Sequence, residues 1–202
     1  MNMNQAFNLL SLAFATSCLV GCVSAQVDLE DIQITRKNVV MPGAPSDVPA
    51  GVTTENADAL PAEYTLPEST ENYALPPQHF SYADTMTQLP EGFRTTLTLK
   101  YVVVTAPRDL SFLTKIALTV ATPDLDGGTP RTLFEYSPNG SDTAANGTLN
   151  IPINGPEITI DPTKLHAADY ALSTWGRLED LPREPWAVDV TLTLSGTADY
   201  GN

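Results

Sequence analysis

The 202-residue chain is short of basic residues, cysteine and histidine: 10 Lys and Arg stand against 24 Asp and Glu, with 2 Cys and 2 His. A net charge of −14 argues against nucleic acid as a partner, because phosphate binding rests on Lys and Arg displacing counterions. The same balance disfavours docking of the protein surface on anionic headgroups. Both cysteines, Cys18 and Cys22, fall within the first 22 residues. The rest of the sequence can form no internal disulfide and no thiolate zinc site, so no metal and no cofactor is expected. Long helical stripes are missing too; the one candidate helix is the run 162–168 (PTKLHAA), with Asp161 as its cap. There is no G-x-S-x-G motif, and neither His79, beside Pro76-Pro77, nor His166, in the short helical run, has a nucleophile beside it in the sequence. A lone histidine in such a setting is ordinarily solvated or packed, so no catalytic residue is named.

The first 27 residues carry no charged side chain, and Ala6 to Val20 is mostly apolar. Interrupted by Asn8, Ser11, Thr16 and Ser17, this stretch falls short of the roughly 20 apolar residues that a membrane span requires. It reads as a signal peptide over residues 1–21, although Met1–Gln5 supplies no Lys or Arg. At its exit stands Leu19-Val20-Gly21-Cys22, which resembles the lipobox of bacterial lipoproteins. The resemblance implies that Cys22 is the site of lipid attachment: its thiol joins diacylglycerol, the chain is cut before it, and the new amine takes a further fatty acyl chain such as palmitate. The expected partner is then the lipid bilayer, at about 0.8 kcal/mol for each buried CH₂. Val23, in place of a retaining Asp, implies the outer membrane of the bacterial cell envelope. Val23-Ser24-Ala25 is also an acceptable cleavage site before Gln26, which would yield a secreted or periplasmic protein instead.

Residues 22–77 read as a membrane-proximal segment. Ile32 and Ile34 alternate within 27–40 and predict one short strand. From Asn38 to Phe93 there is no Lys or Arg, while the same stretch holds eight acids and eight prolines. Such a sequence resists helix and repels itself, so 41–77 is expected to act as a tether with a coil reach of about 35–40 Å. The alternative is an ordered loop wrapped on the body and anchored by Tyr64, Leu66, Tyr73 and Leu75. Phe80-Ser81-Tyr82 then alternates, and the body is expected to span 78–202.

The body reads as strands. Leu97, Leu99, Tyr101 and Val103 share one phase of 94–105, Ile116, Leu118 and Val120 one phase of 114–121, and Trp186, Val188, Val190, Leu192 and Leu194 one phase of 186–196. Shorter candidates are 131–136, 148–153, 157–160 and 169–175. Asp126-Gly127-Gly128, Asn139-Gly140, Asn146-Gly147 and Asn154-Gly155 accept the positive φ of tight turns. The expectation is an all-β, two-sheet antiparallel sandwich, immunoglobulin-like, with a jelly roll as the alternative. The run Arg94–Tyr136 resembles bacterial β-sandwich lipoproteins, a resemblance that brings no activity with it.

Few residues suggest chemistry. Asp124-Leu125-Asp126-Gly127-Gly128 with Glu135 partly matches a calcium loop, but Thr129 stands where that loop requires Gly, so an inter-strand loop is the expected reading. Trp186 shares its phase with Val188 and is expected in the core. Trp175, before Gly176-Arg177 at a strand end, is the candidate exposed ring for sugar stacking. Asn139 and Asn146 match the glycosylation sequon, but their Asn-Gly turn chemistry explains them. The expected function is a non-catalytic, lipid-anchored envelope protein with a structural role or a protein partner. The alternatives are an extracytoplasmic glycan- or calcium-binding module and a hydrolase using paired carboxylates.

Overall fold

The computed structural model describes residues 25–44, 71–83, 93–121, 129–138, 146–153, 159–160 and 168–200. The signal peptide, Cys22, the acidic stretch 45–70, Asp124, Asp126 and the expected helix up to residue 167 lie outside them. Ten strands run through the described residues: β1 (Ala25–Met41), β2 (Tyr73–Ala74), β3 (Gln78–Phe80), β4 (Phe93–Thr105), β5 (Leu113–Ala121), β6 (Arg131–Tyr136), β7 (Thr148–Pro152), β8 (Thr159–Ile160), β9 (Asp169–Gly176) and β10 (Trp186–Tyr200).

Alternation decides which face each strand buries. On β10 the side chains of Trp186, Val188, Val190, Leu192 and Leu194 are buried; on β4 Leu97, Leu99, Val102 and Val104; on β5 Ile116 and Leu118; on β9 Tyr170 and Leu172. These form one continuous core, and each large apolar side chain taken fully out of water contributes about 1.5–3 kcal/mol. Phe80, Tyr82 and Tyr170 form an aromatic knot, with Tyr82 edge-on to Tyr170 at 4.9 Å between centroids. The Tyr82 hydroxyl donates to the Val190 carbonyl of β10 at 3.2 Å, which ties the end of β3 to the opposite sheet.

All strand pairs are antiparallel. One sheet has the order β1-β10-β4-β7, with β8 also on β4; the other has β2-β9-β5-β6, with β3 also on β9. The two-sheet sandwich read from the sequence is therefore present. Taking β2 with β3, and β7 with β8, as single interrupted strands leaves eight positions. The first then pairs with the last, the second with the seventh, the third with the sixth and the fourth with the fifth. That is the order of a jelly roll, and it corrects the immunoglobulin-like expectation, in which the first strand would neighbour the second.

A second correction concerns the start of the body. β1 is a full strand at the edge of the first sheet, paired with β10 from Ala25↔Tyr200 to Met41↔Trp186, and β2 lies in the other sheet. The sandwich thus begins at residue 25 instead of 78. The acidic, Pro-rich residues 45–70 fall in the sequence between β1 and β2 and so do not separate β1 from Cys22. Of the four anchors named for a wrapped loop, Tyr73 packs against the core and Leu75 is buried, while Tyr64 and Leu66 lie outside the described residues.

Two bulges shape β1. The register slips between Leu29 and Ile32 and again between Arg36 and Val39, and each slip holds a residue in the left-handed region, Asp31 (φ 51°) and Asn38 (φ 57°). Short polar side chains tolerate that conformation better than other L-residues. Asn38 is fixed further by its N–H, which donates to Asp189 Oδ1 at 2.9 Å. Gly147 has φ 70°, and a Cβ there would meet the Ala106 carbonyl oxygen at 2.3 Å. The Asn146-Gly147 turn therefore carries the chain into β7 of the first sheet, and no hairpin joins β7 to β6.

Candidate functional site

The outer face of the β2-β9-β5-β6 sheet gathers the polar groups that the sequence leaves unassigned. β5 turns Ile116 and Leu118 inward, so Lys115, Ala117 and Thr119 point outward; β9 turns Tyr170 and Leu172 inward, so Ala171, Ser173 and Trp175 point outward. The register sets Lys115 opposite Trp175, Ala117 opposite both Ser173 and Glu135, and Thr119 opposite Ala171. The Lys115 ammonium lies 4.6 Å from the Trp175 ring centroid and 2.8 Å from Glu135 Oε1. A cation–π contact of this exposure is worth about 0.5–1 kcal/mol, and a surface ion pair about 0–1 kcal/mol. The row orients the indole more than it holds the fold.

Loops frame this row at the end of the sandwich where β9 finishes. Arg177 Nε donates to Asp180 Oδ2 at 2.7 Å, and Arg177 Nη2 donates to the Ser111 carbonyl at 3.3 Å. Thr114 Oγ1 donates to Asn72 Oδ1 at 2.5 Å. The Ser111 backbone N–H donates to Asp109 Oδ1 at 2.7 Å. With the Ser111 side chain it holds the Asp109 carboxyl below its ordinary range. Where β3 ends and β9 begins, His79 Nδ1 meets Asp169 Oδ2 at 2.8 Å, both side chains exposed. A carboxylate on Nδ1 fixes a histidine's orientation. Among the described residues no hydroxyl nucleophile is hydrogen-bonded to the other ring nitrogen, so the dyad stands as an exposed pair.

The sequence candidates are thus divided. Trp175 is on the outer face, partly buried, with the Lys115 ammonium over its ring. Trp186 is 7% exposed, edge-on to Phe112 at 5.4 Å, with its Nε1–H donating to the Pro42 carbonyl at 3.1 Å, as its phase implied. Glu135 faces Lys115. Cys22, Asp124, Asp126, Asn139 and His166 lie outside the described residues. Lys115 was missed; its outward phase is readable from Ile116 and Leu118, but only the strand register shows that it faces Trp175. Chemically, the row offers an indole with one cation over its ring and one carboxylate paired to that cation, beside the small side chains of Ala117, Ala171 and Ser173.

The fold and this face define an all-β jelly-roll sandwich with a polar outer surface. No protein-family model matches the chain, and no curated protein matches its sequence. Among solved structures it is similar to a chain of turnip yellow mosaic virus, at 9% identity over 91% of this chain and 83% of that one, with a TM-score of 0.34. A bacterial lipoprotein from Bacteroides thetaiotaomicron is similar at 9% identity over 90% of this chain and 91% of that one, with a TM-score of 0.33. A chain of infectious bursal disease virus is similar at 11% identity over 89% of this chain and 61% of that one, with a TM-score of 0.29.

Proposed function

We propose that this protein is a non-catalytic, lipid-anchored jelly-roll module of the bacterial cell envelope, held on the bilayer through Cys22 and serving a structural or protein-binding role, at the outer membrane. The observation that carries the reading is the junction of Leu19-Val20-Gly21-Cys22 with β1. The lipobox-like run ends three residues before Ala25, so cutting before Cys22 removes no strand residue. Val23, where a retaining Asp would stand, supports the outer membrane. Mass spectrometry of the purified mature protein tests the anchor. The expected result is a chain beginning at Cys22, carrying diacylglycerol and an amide-linked acyl chain, that partitions with detergent. Cys22→Ser is expected to leave the protein in the aqueous phase, since even a single acyl chain holds a protein only with K of about 10⁴ M⁻¹. An unmodified wild-type chain starting at Gln26 refutes the proposal.

The outward-facing, partly buried Trp175 ring supports a second reading, a glycan-binding module using Trp175, Lys115 and Glu135. The sequence has two tryptophans, and Trp186 is buried, so a ligand on this face is expected to perturb the emission of Trp175 alone. The reading expects that at least one glycan of a panel shifts that emission and that Trp175→Ala abolishes its binding. Silence across the panel discards it.

A further inference from the structure

The position of β1 fixes more than the start of the body. Ala25 is paired with Tyr200, and Tyr200 with Phe93, so one row across three strands of the first sheet closes the end at which the chain leaves Cys22. We infer that the sandwich stands end-on to the bilayer, with the Ala25–Tyr200–Phe93 row towards the lipid and the Met41–Trp186 end presented outward. The inference rests on the Cys22 anchor proposed above.

Length sets the geometry. Three residue steps from Cys22 to Ala25 span at most about 10 Å, so the near end of β1 stays within that distance of the headgroups. β1 has 17 residues, and at about 3.3 Å per residue its far end lies roughly 50 Å further out. Pairing along the whole of β10 makes β1 part of a stiff sheet, so this reach is carried by the body and not by a flexible leash.

Charge sets the stance. Asp28, Glu30 and Asp31 on β1 and Asp199 on β10 are exposed near the anchored end. Anionic headgroups repel them over about one Debye length, roughly 8 Å at physiological salt, which the link of about 10 Å accommodates. These acids therefore hold the anchored end of the sheet a short distance off the lipid, within the reach of the link.

The far end collects the loops already described. Trp186 meets Phe112 edge-on, the Arg177 N–H donates to the Phe112 carbonyl, and the Ala44 N–H donates to the Pro182 carbonyl at 2.7 Å. The 106–112 and 177–185 loops thus sit with Met41, and Trp175 stands beside them.

The test uses the full lipidated protein in vesicles of phosphatidylethanolamine and phosphatidylglycerol containing a nitroxide-headgroup lipid. In the mature chain Cys22 is the only cysteine and is acylated, so Asp199→Cys and Glu179→Cys each give a single labelling site, and the acyl mass is checked on both. Asp199 lies near the anchored end of β10 and Glu179 in the loop that precedes its other end; the 13 residue steps from Trp186 to Asp199 span about 40 Å, and quenching of a fluorophore is expected to be at least threefold stronger at 199 than at 179. A flexible 20-residue insertion between Val23 and Gln26 is expected to erase the difference. Acylated protein with equal quenching at the two sites, or with stronger quenching at 179, overturns the orientation and leaves the anchor standing. Protein without acyl mass overturns the anchor, and the orientation with it.

Discussion

Gly196→Ala is expected to lower the unfolding free energy by more than about 3 kcal/mol, a loss at the upper end for point substitutions. A Cβ at this position would lie 1.9 Å from the Thr96 carbonyl oxygen and 3.0 Å from Leu97 Cα. The first obstacle is backbone of β4, which cannot rotate aside as a side chain can. β10 pairs with β4 on one side and β1 on the other, so any shift that relieves the contact disturbs three strands. For a domain of this size the expected fall in Tm is about 6–12 °C, read by circular dichroism. Ser195→Ala, at a partly exposed neighbour on the same strand, is expected to stay within about 0.5 kcal/mol. A change below about 1 kcal/mol at 196 would show that β4 and β10 do not approach this closely.

The second large effect is on the alkaline side. Burial pushes the Tyr82 phenol well above its ordinary value, reinforced by the neighbouring Tyr170 and opposed in part by Arg36. Burial alone raises Tyr170. Both groups therefore keep their protons in the folded state at pH values where the unfolded chain releases them. The sign follows: this stability is fully present below the unfolded value of 10.0 and is lost as pH rises from there towards the raised folded values. With two more protons bound by the folded state, the unfolding free energy is expected to fall by about 2.7 kcal/mol per pH unit. Denaturant midpoints measured through this range would fall along that slope, with a phenolate absorbance step coincident with loss of structure. Tyr170→Phe is expected to halve the slope. It also removes a buried hydroxyl that has no hydrogen-bond partner in the structure, and so to gain about 1 kcal/mol at neutral pH. A Tyr170→Phe slope equal to that of the parent protein would mean that Tyr170 ionises within the folded state.

Much of the strand content is legible in the sequence because half-buried strands announce themselves by period two. The core phases of 114–121 and 186–196 emerge in the structure with Ile116, Leu118, Val190 and Leu192 inside. β1 reads as a short strand for a physical reason. Its buried residues are Leu29, then Ile32 and Ile34, then Val39 and Met41, so each bulge inserts one residue and reverses the phase. A reader following alternation stops at Asp31 and Asn38, where the strand continues. β2 and β3 are hidden similarly, because Pro76-Pro77 divides them. Strand order is absent from local pattern altogether: nothing in the sequence of β1 names β10 as its partner, and the choice between immunoglobulin-like and jelly-roll orders turns on that pairing. The surface row was half visible. Trp175 could be singled out as a ring at a strand end, but its relation to Lys115 and Glu135 depends on the register across β9, β5 and β6.

The pairing of first strand with last also dictates an order of events. Among the described residues, the only sheet neighbour of β1 is β10, so Ala25 waits for Tyr200 across nearly the whole chain. Contacts of such sequence separation close slowly, since the loop entropy must be met before any contact rewards it. A chain threaded amino end first through an export channel would keep β1 unmatched until its final strand had crossed. Under the export proposed above, the first sheet could close on the arrival side only after β10 had emerged there, because β10 is its second strand and the partner of β1.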